Sequence, residues 1–378
     1  MKEDAEGFRS EDSDETVLRA IQEMMLSDGD RISLSLLLAA SELTFYRLRS
    51  RFGILEYWLK DPEIHEIMIN GPDHIFLETD SGIHRSRIIF NSTEELEEII
   101  RSIAANVRRE INERNPILDA RLSDGSRVNA VLQNVAHNGP VLTIRKFSKK
   151  WIKMADMISS GAANRECALF LKEVISQGCN IFISGGTSSG KTTFLNALTE
   201  YIPENERVVI IEDSQEIQPF SIRNIVQMEC HTMNMLGQGK IGLEELIRTS
   251  LRMRPDRIIV GEVRGKEAID MLQAMNTGHD GMSTGHANSV AGMLRRLEAM
   301  CIQNEGTPLQ AAAMQIVEGL DIMIHMTRFS DGRRRVTEIQ ELTGYKDGEY
   351  LLNPLFLYDS KNGLYRTKNH LKSVKFMK

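Results

Sequence analysis

The sequence predicts an α/β core built around a phosphate-binding loop, preceded by a smaller α+β domain and a helical extension. Three observations carry this. Gly185-Gly186-Thr187-Ser188-Ser189-Gly190-Lys191-Thr192-Thr193 lies between an apolar, β-rich run at 180–184 and a helical pattern at 194–198, the order of strand, loop and helix that a G-x-x-x-x-G-K-[ST] site requires. After it, strand and helix patterns alternate, which predicts a sheet covered by helices on both faces. Before it, between Phe52 and Phe147, short strand patterns surround a single helix, the texture of a separate α+β unit.

The chain of 378 residues exceeds one typical core and predicts two domains with a small extra segment. With 41% hydrophobic residues it has ample apolar material to bury. A formal net charge of -7 speaks against a broad footprint for nucleic acid, which needs a surplus of Lys and Arg, so no direct nucleic-acid partner is expected. The acidic start, Met1-Lys2-Glu3-Asp4-Ala5-Glu6, has neither the basic nor the apolar region of a signal peptide. The most apolar stretch, 32–40, is interrupted by Ser33 and Ser35 and is too short to span a bilayer. Cys167, Cys179, Cys230 and Cys301 have no C-x-x-C spacing and read as cytoplasmic thiols packed as small hydrophobes.

Residues 1–51 form an acidic tail and a helical extension. The tail is expected to be disordered to about Ser13. Val17, Leu18, Ile21, Met24 and Met25 then fall on one helical face that Asp28-Gly29 stops, and a second helical pattern runs over 33–51. Residues 52–147 form the α+β domain. Its β-rich runs at 64–69, 74–77 and 83–90 are separated by Asn70-Gly71-Pro72 and Asp80-Ser81-Gly82, which is turn chemistry. Ser92 and Glu95 make a capping-box signature ahead of the helical stripe Leu96, Ile99, Ile100, Ile103 and Val107. Strands follow at 118–122, 128–132 and 141–145.

Residues 148–164 read as a connector, with lysines, Gly161 and sparse periodicity. The core domain occupies 165–378. Its strands centre on Ile181, 208–211, 225–228, 258–260 and 282–284, a helix covers 309–320, and a hairpin turns at Ser330-Asp331-Gly332. The remaining tail carries no clear pattern.

In the loop, Gly185, Gly186 and Gly190 let backbone N–H groups converge on phosphate oxygens, and the following helix turns its positive dipole end to the same anion. Lys191 would reach the β- and γ-phosphates of a nucleoside triphosphate, and Thr192 would place its hydroxyl on Mg²⁺. Strand 208–211 delivers Glu212, the first candidate to orient or deprotonate water, with Glu216 the second. Strand 258–260 delivers Glu262, the carboxylate expected to hold Mg²⁺. Thr277–Ser289 reads as a glycine-rich loop whose His279 and His286 would sense the γ-phosphate. Arg121, Arg127 and Arg145 in the first domain, and Arg252, Arg254 and Arg264 in the second, are either phosphate-stabilising cations or ordinary surface residues.

Together GGTSSGKTT, IEDSQEI, LRMRPDRIIVGEVRG and MNTGHDGMSTGHANS resemble the Walker A, Asp box, Walker B and His box of type II and type IV secretion ATPases, most closely the tight-adherence (CpaF-like) branch that powers pilus assembly. FGILEYWLKDPEIHEIMINGPDHIFLE and ARLSDGSRVNAV with GPVLTIRKF resemble that family's N-terminal domain. The resemblance covers residues from about Phe52 to Thr343. It implies a RecA-like ATPase domain, a hexameric ring, ATP bound between the domains, and an inner-membrane platform protein engaged from the cytoplasm. It also implies that Arg121, Arg127 and Arg145 reach the nucleotide. Two departures stand out: Ser188 where the family commonly has Gly, and Gly285 where a larger residue is usual. A type IV secretion ATPase moving DNA or protein effectors, as in conjugation, is the alternative within the motors, and a nucleotide-gated scaffold with little catalysis is the alternative outside them.

Overall fold

The computed structural model describes residues 13–27, 33–147, 152–219, 221–231, 239, 241–303 and 307–372. The acidic tail, the Asp28-Gly29 stop and the first residues of the connector lie outside the described residues. The chain divides into two compact units, Met1–Lys149 and Lys150–Lys378.

In the first unit, α1 (Asp14–Ser27) and α2 (Leu34–Arg49) pair through Val17, Ile21 and Leu37, all buried. Ser33 starts α2 by accepting the Leu36 N–H at 3.3 Å. After α3 (Leu55–Lys60) comes a six-stranded antiparallel sheet of β1 (Glu66–Asn70), β2 (Ile75–Thr79), β3 (Gly82–Arg85), β4 (Ile117–Arg121), β5 (Arg127–Val131) and β6 (Val141–Arg145), in the order β3-β2-β1-β6-β5-β4. Helix α4 (Thr93–Asn106) interrupts it, capped by the Ser92 hydroxyl accepting from Glu95 N–H. Its stripe of Leu96, Ile99, Ile100 and Ile103 shares a core with Ile67, Ile69, Val128, Ala130, Leu142 and Ile144. Alternation in β5 and β6 puts those apolar residues on one face, and the partners between them belong to the other. The run expected at 83–90 is strand only over Gly82–Arg85.

The second unit holds a mixed sheet. From the connector onward its elements are α5 (Met154–Ser159), α6 (Arg165–Ser176), β7 (Ile181–Gly185), α7 (Lys191–Leu198), β8 (Arg207–Glu212), β9 (Asn224–Glu229), α8 (Leu243–Ser250), β10 (Arg257–Val260), α9 (Glu267–Asn276), β11 (Asp280–His286), α10 (Val290–Ile302), α11 (Leu309–Gly319), β12 (Ile322–Arg328), β13 (Arg334–Lys346), β14 (Glu349–Asp359) and β15 (Gly363–Arg366). The strand order is β15-β14-β13-β12-β7-β11-β10-β8-β9, parallel from β12 to β9 and antiparallel beyond β12. Alternate residues face two helical layers. Ile181, Ile183, Val208 and Ile210 pack with α6 and α7, whereas Phe182, Val209, Ile211 and Val260 pack with α9, α10 and α11. Burial on both faces explains why these strands read as unbroken apolar runs.

Three expectations are corrected. Residues 154–163 are more than a connector: Met154, Met157, Ala162 and Ala163 are buried in the core of the second unit, because α5 covers apolar surface beside α6 and α7. The patternless tail supplies β14 and β15, which extend the sheet past the hairpin; Asn353-Pro354 breaks the apolar residues of β14 in two, and β15 is four residues long. The supposed glycine-rich loop over Thr277–Ser289 is mostly β11, a central strand flanked by β7 and β10. Its glycines answer to crowding. A Cβ on Gly281 would collide with Met275, and one on Gly285 would lie 2.9 Å from Met293 Cε and 3.0 Å from the Phe182 ring. Met293 thus takes the room that a larger residue at 285 would need.

Because Phe182 is fully buried and cannot withdraw, Gly285→Val should destabilise the second unit by about 1–3 kcal/mol, the usual cost of overpacking. Urea unfolding followed by circular dichroism checks this, and an unchanged midpoint would show that the strand is looser than its packing indicates.

Candidate nucleotide site

Four adjacent parallel strands, in the spatial order β7-β11-β10-β8, end on one edge of the sheet, and each delivers one of the motifs there. Strand β7 runs into the glycine loop, β11 ends at His286, β10 leads to Glu262, and β8 ends at Glu212. The carboxyl ends of parallel strands are where open α/β sheets bind ligands.

The loop's backbone has the shape expected of an anion cradle. Gly190, the N-cap of α7, sits at φ 89°, and Ser188 adopts φ 55°, a left-handed value that costs a residue with a Cβ some strain. Gly185 lies so close to the Met326 carbonyl of β12 that a side chain there is excluded. The Ala287 N–H donates to Gly185 O at 3.3 Å, tying the end of β11 to the loop. Gly186 and Thr187 line a cleft of about 410 Å³ with His286, Asn288 and Arg296. Thr192 and Thr193 occupy the first turn of α7, both half-buried.

Polar side chains then connect the strand ends in the same spatial order. Buried Lys191 extends Nζ to Gly186 O at 3.0 Å, Gly185 O at 3.3 Å and His286 Nδ1 at 3.3 Å. An ammonium only donates, so His286 accepts at Nδ1, and a neutral ring then carries its proton on Nε2, which lies 2.9 Å from Glu262 Oε1. Burial and the nearby Lys191 charge both lower the pKa of His286, which favours that neutral ring. Burial also lowers the pKa of Lys191, against the attraction of Glu262. The other oxygen of Glu262 accepts from Arg264 Nη2 at 2.7 Å, and Arg264 Nη1 stands 3.4 Å from Asp213. Burial opposes ionisation of Glu262, yet the Arg264 hydrogen bond and the charges of Arg264 and Lys191 outweigh it and hold the carboxyl below its usual range.

Glu212 behaves in the opposite way. It is buried against Gly261, and its Oε1 accepts the N–H groups of Glu216 at 2.8 Å and Ile217 at 3.0 Å. Burial outweighs those two bonds and pushes its pKa up to about 7. Glu216 is exposed one turn further on.

The structure therefore brings Lys191, His286 and Glu262 into one group and places Glu212 beside the start of the Glu262 segment. It separates the two histidines. His279 lies at the opposite end of β11 from His286, bonded to Thr277 and Ala274 O, because the segment between them is an extended strand. Arg121, Arg127 and Arg145 belong to the first unit, where they are cross-strand partners in one row over β4, β5 and β6, on the sheet face opposite α4. Arg121 Nε donates to Gly125 O at 3.0 Å and its guanidinium lies over the Phe147 ring. Sequence reasoning missed the pairing of Arg264 with Glu262. The signal was the two-residue spacing of Glu262-Val263-Arg264 after a strand, which puts both side chains on one side of an extended segment.

Residues 50–348 match the family described as Type II/IV secretion system protein. The chain belongs to that family, and the class of protein it represents is a secretion ATPase with a RecA-like core and an N-terminal domain. A stretch of 246 residues, 63% of this chain, is 42% identical to an uncharacterised protein of Methanocaldococcus jannaschii, and spans only 34% of that protein's length. A putative conjugal transfer protein of Mycobacterium tuberculosis is 32% identical over 297 residues, covering 77% of this chain and 84% of the relative. Among solved structures, the DotB ATPase of Legionella pneumophila superposes with a TM-score of 0.55 at 24% identity, over 78% of this chain and 80% of that one, a likeness of fold. These findings place the chain in the type II/IV family and not in the tight-adherence branch in particular.

The raised pKa of Glu212 has a definite sign. The folded protein keeps a proton that the unfolded chain releases near the ordinary value of 4.5, so stability declines as pH rises from there through about 7. Glu212→Gln should remove that slope. Urea midpoints at several pH values test this, and parallel slopes for both proteins would contradict the burial of an ionisable Glu212.

Proposed function

We propose that this chain is an ATP-hydrolysing motor subunit of a type II/IV secretion or pilus machine. The observation that carries the reading is the group Lys191, His286, Glu262 and Arg264 gathered beside the glycine loop. In this reading the N–H groups of Gly185, Gly186, Thr187, Ser188, Ser189 and Gly190, with the start of α7, receive the phosphates, Lys191 turns from its loop carbonyls to the β- and γ-phosphates, and Thr193 completes the first turn. Glu262, kept ionised by Arg264, and the Thr192 hydroxyl are the oxygen donors that would hold Mg²⁺, whose chemistry is to neutralise charge on the phosphate oxygens. The donors suit a hard cation.

Glu212 orients the attacking water and takes its proton. A base with a pKa of about 7 is matched to that task at neutral pH. Water attacks the γ-phosphorus, the bond to the bridging oxygen breaks, and ADP and phosphate result. His286 links Lys191 to Glu262, so a shift of Lys191 toward phosphate is felt at the carboxylate. Glu216 is the alternative base. In this reading Arg121, Arg127 and Arg145 stabilise the transferred phosphoryl group, as the motif resemblance implies.

A homo-hexamer acting from the cytoplasm on a polytopic inner-membrane platform protein extends this reading to the assembly. No described helix is long and apolar enough to cross a membrane. The tight-adherence pilus is the finer reading and is supported by the motif resemblance. Conjugal transfer is the alternative, supported by the 32% identity to a putative conjugal transfer protein, while the net charge of -7 disfavours direct handling of DNA.

Lys191→Ala should lower ATP turnover to about a hundredth or less in a phosphate-release assay, and retained turnover would end the assignment. Arg127→Ala should lower kcat by roughly tenfold or more with the fold intact, and full activity would remove the arginine row from the mechanism. Size-exclusion with light scattering should show a hexamer in ATP, and an active monomer at dilution would contradict the ring.

A further inference from the structure

The hairpin of β12 and β13 lies beside the glycine loop and does more than extend the sheet. Arg334, the first residue of β13, donates from Nε to Ser188 O at 2.9 Å, a bond spanning 146 residues of sequence. The stem of the same side chain runs past Gly190, where a Cβ would lie 3.2 Å from Arg334 Cδ. Met326 of β12, paired in register with Gly185, holds the other end of the loop. The loop is therefore gripped from β12 at its beginning and from β13 at its tip.

Ser188 needs that grip. Its φ of 55° is the left-handed conformation that glycine adopts freely and a residue with a Cβ does not. A trans peptide is planar, with its carbonyl and the next N–H pointing in opposite directions. Fixing Ser188 O toward Arg334 therefore fixes the Ser189 N–H to the other side of the peptide plane, where it donates to Gly186 O at 3.4 Å. One hydrogen bond stabilises the strained turn and sets the plane of the peptide that follows it.

We propose that Arg334 is a positioning residue of the phosphate loop, holding Ser188 left-handed so that nucleotide meets a loop already in its binding shape. This rests on the reading of Gly185–Thr193 as the triphosphate site and adds a residue outside the motifs to it. The same grip explains how a serine is tolerated at 188, since the hairpin supplies the constraint that glycine would make unnecessary. Pre-organisation of this kind acts on affinity, because it lowers the cost of ordering the loop at the moment of binding.

The test is a double-mutant cycle read as the Kd of full-length protein for ATP with Mg²⁺, by isothermal titration. Arg334→Gln should weaken binding by about fivefold to tenfold, as expected for a left-handed residue losing about 1 kcal/mol of support. In the Ser188→Gly background the same substitution should weaken binding less than about twofold. Arg334→Lys, which keeps the charge and a shorter-reaching donor, should recover only part of the loss. An equal loss in both backgrounds, or full recovery with Lys, would make Arg334 a source of charge or of general stability and overturn the proposal, as would an unchanged Kd for Arg334→Gln. Lys191→Ala is the control for the underlying reading. If it leaves ATP affinity unaltered, the loop is not the triphosphate site and both claims fall; if it weakens binding while the cycle is additive, only the role of Arg334 is lost.

Discussion

The ionised carboxylate of Glu262 is the constraint on which the rest of the site depends. A buried carboxylate without partners would take up a proton, since leaving water is far costlier for a charge than for a neutral group. Here Arg264 bonds one oxygen, His286 stands against the other, and Lys191 adds its charge through the histidine. Arg264 lies two residues along the same segment, whereas His286 and Lys191 come from other segments, so their share of the support persists only while the strand ends stay in their places. Glu212, a short distance along the same sheet edge, accepts from two backbone donors, and deep burial raises its pKa to about 7. Two glutamates at the ends of neighbouring strands are thus driven to opposite protonation behaviour, Glu212 by burial and Glu262 by its cationic partners.

The sheet order makes this possible. Along the chain the motifs appear as the glycine loop, Glu212, Glu262 and His286; across the sheet they stand as the glycine loop, His286, Glu262 and Glu212. The polar sequence Lys191, His286, Glu262, Arg264, Asp213 follows the spatial order strand by strand. Placing β11 between β7 and β10 requires a strand with little bulk on its faces, and Gly281 and Gly285 provide it against Met275, Met293 and Phe182. Buried Asn180 fixes the other end of the same neighbourhood, accepting from Gly281 N–H and donating to Gly319 O. The glycines of this segment serve the packing of a core strand and have no loop to loosen.

Much of this was legible from residue order. Runs such as Val208-Val209-Ile210-Ile211 announce strands buried on both faces, the stripe of α4 announces a helix on a sheet, and a turn at Ser330-Asp331-Gly332 announces the β12–β13 hairpin. Lys191 was legible from the glycine loop, Glu262 from the apolar run before it, and His286 from the glycines and hydroxyls around it. The passages that misled did so for different reasons. Thr277–Ser289 has the composition of a loop, yet Gly281 and Gly285 answer to Met275, Met293 and Phe182 packed against β11. Residues 154–163 hold a helix of six residues, β14 carries Asn353-Pro354 and β15 has four residues, so each offers too short a period to separate from a linker or a tail.

Local residue order by itself determined most of the strands and helices, though not α5, β11, β14 or β15, that a glycine loop joins β7 to α7, and which acids emerge from strands, since these depend on neighbours within a few residues. Tertiary structure alone decided that β11 lies between β7 and β10, that His286 and not His279 meets Lys191, that burial leaves Glu212 with a pKa near neutral, and that Arg334 reaches Ser188 from 146 residues away. Each of those outcomes depends on distances and burial set by the packing of the whole sheet, and no local pattern of side chains encodes them.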